Sequence, residues 1–361
     1  MHDTTTMWGF PGSQQIVMIA AEPRFNQGPG NFREDAMIEL TRRTLLAGAG
    51  AAAVSAPLAD AARAAAPAAG KQGPGFYRYK VGDYELTQIA DGARGVAITD
   101  AYVRNIPKEQ ALAAAEAAYM PTGMVTVPFN PVVVNTGSKL VLIDTGFPPG
   151  AGPTIGLLQS NMAAAGIDAK AIDIVVLSHL HPDHINGLKT PAGALAFPNA
   201  EIKAPAVDWA FWMSDENMAK FQGNQLMKDY FDNTRKVLSD IAGKVTRYDW
   251  GREVAPGITA IDTPGHTPGH SSFVVASGSG RLLVQSDVTN IPELFLRNPD
   301  WHVMYDFDPD KAAATRHRFY DMAAAEKSLI AGFHFAFPSL GHVEKDGTGY
   351  RLVPVAWNAT L

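Results

Sequence analysis

The 361-residue chain contains no cysteine, which excludes disulfides, zinc fingers, iron–sulfur ligation and any thiol nucleophile. Charge is sparse and carries no basic excess: acids outnumber bases 36 to 30, for a formal charge of −6. A nucleic-acid partner is therefore not expected, since such proteins show a basic surplus or stripe. No apolar run in the mature chain is long enough to span a bilayer, and internal repeats and low-complexity tracts are missing too. The G-x-S-x-G signature of a serine nucleophile does not occur. What remains is a globular composition, 46% hydrophobic. Without thiols, any metal must sit on carboxylates and on some of the ten histidines.

Residues 1–36 carry no sustained hydrophobic period and are broken by Gly9, Pro11, Gly12, Pro23, Gly28, Pro29 and Gly30. They read as an upstream or disordered extension. Met37 then opens a segment with the pair Arg42-Arg43, an uncharged run from Leu45 to Pro57 and an exit at Ala64-Ala65-Ala66. Residues 37–66 resemble a twin-arginine export signal, which implies a periplasmic or secreted product. Residues 67–361 read as one domain, because no linker rich in Gly, Ser or Pro divides them.

Within that domain, Tyr77–Tyr79 and Tyr84–Ala90 alternate apolar with polar around a Gly82-Asp83 turn and predict a strand pair. Pro131–Asn135 and Leu140–Asp144 predict a hairpin. Ile172–Ser178 is a continuous apolar run of strand length, expected to be buried on both faces. Further strands are expected at Ile258–Asp262, Ser272–Ala276 and Leu282–Gln285, with helices over 107–118, 153–165, 205–242 and 310–329. Interleaved strands and helices, with the chemistry in loops at strand ends, predict an α/β layered domain.

The chemistry is concentrated in Ser178-His179-Leu180-His181-Pro182-Asp183-His184. Three imidazoles and a carboxylate within six residues form a dense donor set of the kind that holds zinc and its neighbours. On an extended segment His179 and His181 point the same way and can share one ion. Pro182 turns the chain so that Asp183 and His184 can face a second.

This segment matches the H-x-H-x-D-H motif of the metallo-β-lactamase superfamily, and later residues resemble the superfamily's other blocks. These are Thr263-Pro264-Gly265-His266-Thr267-Pro268-Gly269-His270, Ser286-Asp287 after a strand, Leu340-Gly341-His342, and Leu142-Ile143-Asp144-Thr145-Gly146. The resemblance implies an αββα sandwich of two mixed β-sheets flanked by helices. It implies one ion on His179, His181 and His266, a second on Asp183, His184 and His342, and Asp287 shared between them. Asp144 would support the ligands from behind. His334, flanked by Phe333 and Phe335, competes with His342 but reads as a packed core histidine; His270 reads as structural. The cofactors implied are two divalent ions, zinc first, with manganese, iron or cobalt as competitors.

Segments without metal ligands resemble the methyl parathion hydrolase branch: Gly75-Phe76-Tyr77-Arg78, Asn135 to Leu142, Ala196 to Ala200 and Gly349 to Val355. That likeness implies a homodimer and an aromatic substrate pocket, here built from Trp212, Tyr230 or Phe231, with Phe147 nearby. One aromatic of the pattern is replaced by Pro149-Gly150-Ala151-Gly152. Two ions sharing a water lower its pKa toward roughly 7 and so supply hydroxide at neutral pH. The expected activity is hydrolysis of small neutral organophosphate triesters or aryl esters, with Asp287 bridging the ions and Asp183 a candidate proton donor. The alternative is a lactonase or aryl esterase acting on dihydrocoumarin-like or acyl-lactone substrates, with incidental phosphotriesterase activity. A β-lactamase or a non-catalytic metal scaffold ranks below both.

Overall fold

The computed structural model describes residues 69–361 apart from Lys71; the extension and the export signal read in residues 1–66 lie outside the described residues. The first half of this unit runs β1 (Phe76–Val81), β2 (Tyr84–Ile89), β3 (Gly92–Ala97), α1 (Lys108–Ala117), β4 (Met124–Phe129), β5 (Val132–Asn135) and β6 (Leu140–Ile143). It continues with α2 (Leu158–Ala164), β7 (Ile174–Val176), α3 (Pro182–Ile185), β8 (Glu201–Pro205), α4 (Ala206–Trp212), α5 (Asp215–Lys220), α6 (Gln225–Leu238) and β9 (Val245–Tyr248). The second half runs β10 (Glu253–Ala255), β11 (Ile258–Asp262), β12 (Ser271–Ser277), β13 (Gly280–Ser286), α7 (Pro309–Ala325), β14 (Leu329–Gly332), β15 (Leu340–Asp346) and β16 (Gly349–Pro354).

Two seven-stranded sheets result, ordered β1-β2-β5-β6-β7-β8-β9 and β10-β11-β12-β13-β14-β15-β16, with β3 and β4 forming a separate two-stranded ribbon. Both large sheets are mixed. β6, β7, β8 and β9 run parallel in the first, and β13 and β14 run parallel in the second.

The layering follows from the period-2 alternation of strand side chains. Val132, Val134, Val141, Ile143 and Val176 face Ile258, Ala260, Phe273, Val275, Leu282 and Val284 across the gap between the sheets. The intervening Val133, Leu142 and Val175 point outward and pack with Leu158, Met162, Phe231 and Leu238 of the helices on that side. On the far side Leu283 and Ile330 pack with Phe319, Tyr320 and Ala323 of α7. The order is helix, sheet, sheet, helix, as the sequence reading expects. The interior strand β7 is apolar at every position because both of its faces are covered.

Several boundaries depart from expectation for physical reasons. The helix expected over 153–165 begins only at Leu158, because Gly156 sits at φ +82° and turns the chain first. The stretch 205–242 is helical as expected but divides into α4, α5, α6 and a closing 3-10 turn at Ser239–Lys244, with α5 and α6 each opened by its own side-chain cap, Ser214 and Asn224. The last expected helix ends at Ala325, and Leu329 already begins β14.

Candidate metal centre and pocket

The parallel strands deliver the chemistry. Asp144 follows β6, the His179–His184 segment follows β7, Ser286-Asp287 closes β13 and Phe333-His334 follow β14. The loop 263–270 joins β11 to β12 beside them. The carboxyl ends of both parallel pairs therefore meet at one place, where open α/β sheets ordinarily bind their ligands. Asp144 and Ser286 both adopt left-handed backbone, φ +60° and +51°, an unfavourable conformation for side-chain-bearing residues that clusters at functional sites.

Three sets of donors lie close enough to hold an ion: His179, His181 and His266; His179, His184 and Asp287; and Asp183, His184 and His334. Asp287 stands between them. Its Oδ1 is 3.2 Å from His184 Nε2, and its Oδ2 is 3.3 Å from His266 Nε2 and 3.0 Å from His334 Nε2. Asp183 Oδ2 lies 3.4 Å from His334 Nε2 and 3.6 Å from His184 Nε2.

The donors fit divalent ions. His179 Nε2, His184 Nε2 and Asp287 Oδ1 are buried without a hydrogen-bond partner among the described residues, a costly arrangement unless something else satisfies them. His181 Nδ1 and His266 Nε2 approach to 3.0 Å. Burial, reinforced by neighbouring imidazoles, holds His179 and His181 well below the usual imidazole range, in the neutral form that binds metal. Burial also opposes charge on His184, but Asp287, Asp144 and Asp183 outweigh it and hold that ring well above the usual range. The same imidazoles, His334 and His184, overcome burial at Asp287 and keep it a carboxylate.

One expected ligand is elsewhere. His342 is exposed in the middle of β15, opposite Leu329 at the start of β14, and its Nδ1 donates to the carbonyls of Lys327 and Ser328. Because β14 runs parallel to β13, its start is the end remote from the cluster and its finish supplies the histidine. That histidine is His334. Its Nδ1 donates to Pro128 O at 2.7 Å, which leaves Nε2 as the ring atom able to face an ion alongside the oxygens of Asp183 and Asp287. Of the flanking phenylalanines that suggest a core histidine, Phe333 stands against the site, its ring 4.0 Å from that of His184, while Phe335 packs into the core with Tyr320 and Val343.

A second ring of groups fixes the ligands, as metal sites require. Asp144 accepts from Ser178 N, Ser178 Oγ and His184 Nδ1 at 2.8–2.9 Å. His270 Nδ1 donates to Thr263 O while its Nε2 accepts from Asp287 N, both at 3.0 Å. Burial pushes His270 down to about 3, so it stays neutral and positions the backbone of Asp287.

Two carboxylates of this ring carry no sequence motif. Asp306 accepts from His266 Nδ1 at 3.0 Å and pairs through Oδ2 with Arg316, which is fully buried and also donates to the carbonyls of Val288, Pro299 and Trp301. Asp208 accepts from Leu180 N, Gly269 N and Trp212 Nε1 at 3.0, 2.7 and 3.2 Å. It thereby ties the β7 loop to the 263–270 loop. A Cβ at Gly269 would lie 2.1 Å from Asp208 N, so only glycine permits the approach. Asp306→Asn should loosen His266 and lower metal affinity by about 10–100-fold, the usual cost of losing such a partner. A competition titration against a chelator measures it, and unchanged affinity would show that Asp306 does not orient the ring.

A pocket opens over Asp183 and Asp287. One face of the β3–β4 ribbon roofs it, through Arg94 and Val96 on one strand and Val127 and Phe129 on the other. Tyr230, Tyr305 and Asn290 complete the rim. Of the four aromatics expected there, only Tyr230 lines the pocket, its ring 4.4 Å from that of His181. Trp212 and Phe231 are fully buried in the helical layer, 4.8 Å apart, because they fall on the inward faces of α4 and α6. Phe147 is buried one layer behind Phe129, edge-on at 5.1 Å.

With that geometry in place, comparison with known proteins becomes specific. The model of the metallo-beta-lactamase superfamily matches residues 127–334, more than half of the chain. The chain belongs to the metallo-β-lactamase superfamily.

The matched span begins in the ribbon strand β4 and ends on His334. Among curated relatives, the N-acyl homoserine lactonase AiiA of Bacillus thuringiensis subsp. kurstaki is 25% identical over 233 residues, 59% of this chain and 83% of that protein. Among solved structures, AidC, a dizinc quorum-quenching lactonase in complex with its product, is similar with a TM-score of 0.74 and 26% identity. That match covers 79% of this chain and 98% of AidC. AbOPH, a hydrolase of the same superfamily, is 28% identical with a TM-score of 0.74, over 80% of this chain and all of that one. The protein is thus a metal-dependent hydrolase whose His and Asp cluster suits two divalent metals.

Proposed function

We propose that the protein is a dizinc lactonase, hydrolysing lactones that carry an acyl substituent, with activity on simple aryl esters through the same site. The observation that carries this reading is the mixed lining of the pocket over Asp287, which Trp212, Phe231 and Phe147 do not reach. Val96 and Val127 sit beside Phe129 in its roof, and its rim presents the donors of Tyr230, Tyr305, Asn290 and Arg94. An apolar wall with a few converging polar groups suits a ring ester with a short chain. The lactonase relatives support the same choice. The phosphotriester reading leans on the aromatic wall that resemblance implied, and Trp212 and Phe231 are not available to form it.

Two divalent ions bound there would lower the pKa of a shared water toward roughly 7 and polarise a carbonyl oxygen. His179, His181 and His266 would hold one; Asp183, His184 and His334 the other, with Asp287 common to both. The remaining tasks fall to the chain. Tyr230 and Tyr305 are held protonated, each chiefly by burial with Asp183 adding to it, so both hydroxyls can donate to substrate oxygens at neutral pH. Asn290 Oδ1 is tied to Ile291 N at 2.9 Å, which leaves its amide to donate toward the pocket. Asp183 is the more exposed of the two cluster carboxylates, 19% against 4% for Asp287. It is therefore the group placed to relay through Oδ2 the proton given up by the attacking water to the alkoxide released on ring opening. On the sequence features given above, the proposal extends to export by the twin-arginine segment and to a homodimer.

The test is kcat/KM for N-hexanoyl homoserine lactone, dihydrocoumarin and methyl parathion on one zinc-loaded preparation, with a chelated control. The acyl lactone should be turned over best and the phosphotriester least, and chelation should abolish all three. A clear preference for methyl parathion would overturn the lactonase reading.

A further inference from the structure

The β3–β4 ribbon places one cation at the mouth of the pocket. Among the described residues, Arg94 is the only lysine or arginine that lines it. Its side chain is exposed, and it makes no ion pair or hydrogen bond with other described residues. The guanidinium carbon lies 5.8 Å from the Phe129 ring and 5.9 Å from the Phe147 ring. Those two rings are themselves packed edge to face at 5.1 Å, so they form a fixed apolar seat for the cation. The strand beneath is held in register, with Arg94 opposite Val127 and Val96 opposite Val125. An arginine on such a seat keeps its planar fork of donors free, aimed at whatever enters. Its position above the metal ligands, on the rim that also bears Tyr230 and Tyr305, places it beyond the reacting ester and beside the substituent.

We propose that Arg94 is a specificity residue that receives the carbonyl of an amide side chain on the lactone, so that the pocket selects acylamino lactones over alkyl lactones of equal length. This inference rests on the lactonase reading above. The fork would hold the amide oxygen while the acyl chain passes along Val96 and Val127. The apolar chain alone gives no reason to keep an unpaired cation at the entrance; an acceptor in the substituent does.

The experiment compares N-hexanoyl homoserine lactone with a γ-alkyl lactone of matched chain length on zinc-loaded wild type, Arg94→Met and Arg94→Lys. Arg94→Met should lose at least tenfold more kcat/KM on the amide lactone than on the alkyl lactone, through KM. Arg94→Lys should recover part of that difference. Binding of the ring-opened product N-hexanoyl homoserine, followed by calorimetry, should weaken in Arg94→Met by a similar factor. Equal losses on both lactones, or unchanged preference and product binding, would overturn the assignment of Arg94 while leaving the lactonase reading intact. Failure of the wild type to open either lactone would overturn both.

Discussion

Replacing His334 with alanine should remove one of two bound ions, whereas His342→Ala should leave both. The first change deletes the imidazole whose Nε2 sits 3.0 Å from Asp287 and 3.4 Å from Asp183. Asp183 and His184 remain, but two protein donors beside a shared carboxylate hold a divalent ion poorly. Turnover should then fall by on the order of 10²–10³, the scale of losing one electrostatic anchor for a reacting oxygen. The second change removes an exposed ring from a strand surface, and such substitutions shift stability by only about 0.5 kcal/mol. Elemental analysis of the two variants after gel filtration, with lactone turnover on the same samples, decides the matter. Two ions in His334→Ala and one in His342→Ala would reverse the assignment made from the strand directions.

The second large effect is expected at Trp212, and it concerns stability rather than substrate. The side chain is fully buried between Phe211, Phe231 and the ring of His181, and its Nε1 donates to buried Asp208. Trp212→Ala should cost about 3–5 kcal/mol through the cavity it opens, lowering Tm on the order of 10 °C for a domain of this size. It also takes one donor from Asp208, whose other bonds pin the two ligand-bearing loops, so metal affinity should weaken as well. KM for lactones should change little in the fraction that remains folded and loaded. A thermal melt and a chelator competition on the variant test both statements. A raised KM with unaltered Tm would return Trp212 to the pocket wall.

How far the sequence alone reaches can be seen by comparing His179 with His334. His179, His181, Asp183 and His184 are legible because they are contiguous and follow an unmistakable buried strand. The structure brings them together with His266 and Asp287 as the resemblance implied. His334 was misread because its two Phe neighbours are also what a buried histidine would have. Only the direction of β14 shows that His334 itself faces the ligand cluster. The sandwich itself follows from the alternation in β5 to β7, yet the β3–β4 ribbon, which roofs the pocket, has no such signature. Its strands hold Gly92, Gly95 and Pro128, residues that read as turns. Asp306 lies 40 residues from His266, and Asp208 lies 28 and 61 residues from Leu180 and Gly269, and no spacing rule reaches that far. Trp212 and Phe231 illustrate the opposite error: an aromatic that a family likeness places in the pocket wall is as easily core.

The division of the site between the two sheets has a consequence for biosynthesis. His179, His181, Asp183 and His184 all precede residue 250, while His266, Asp287 and His334 follow it. A growing chain that has released only its first sheet carries half a cage, with nothing to close around an ion. The left-handed turns at Asp144 and Ser286 come from opposite halves and meet at the finished centre. Capture of the ion that needs His334 would therefore wait for β14 to dock, and a loaded centre would act as a clasp joining the early and late halves of the polypeptide.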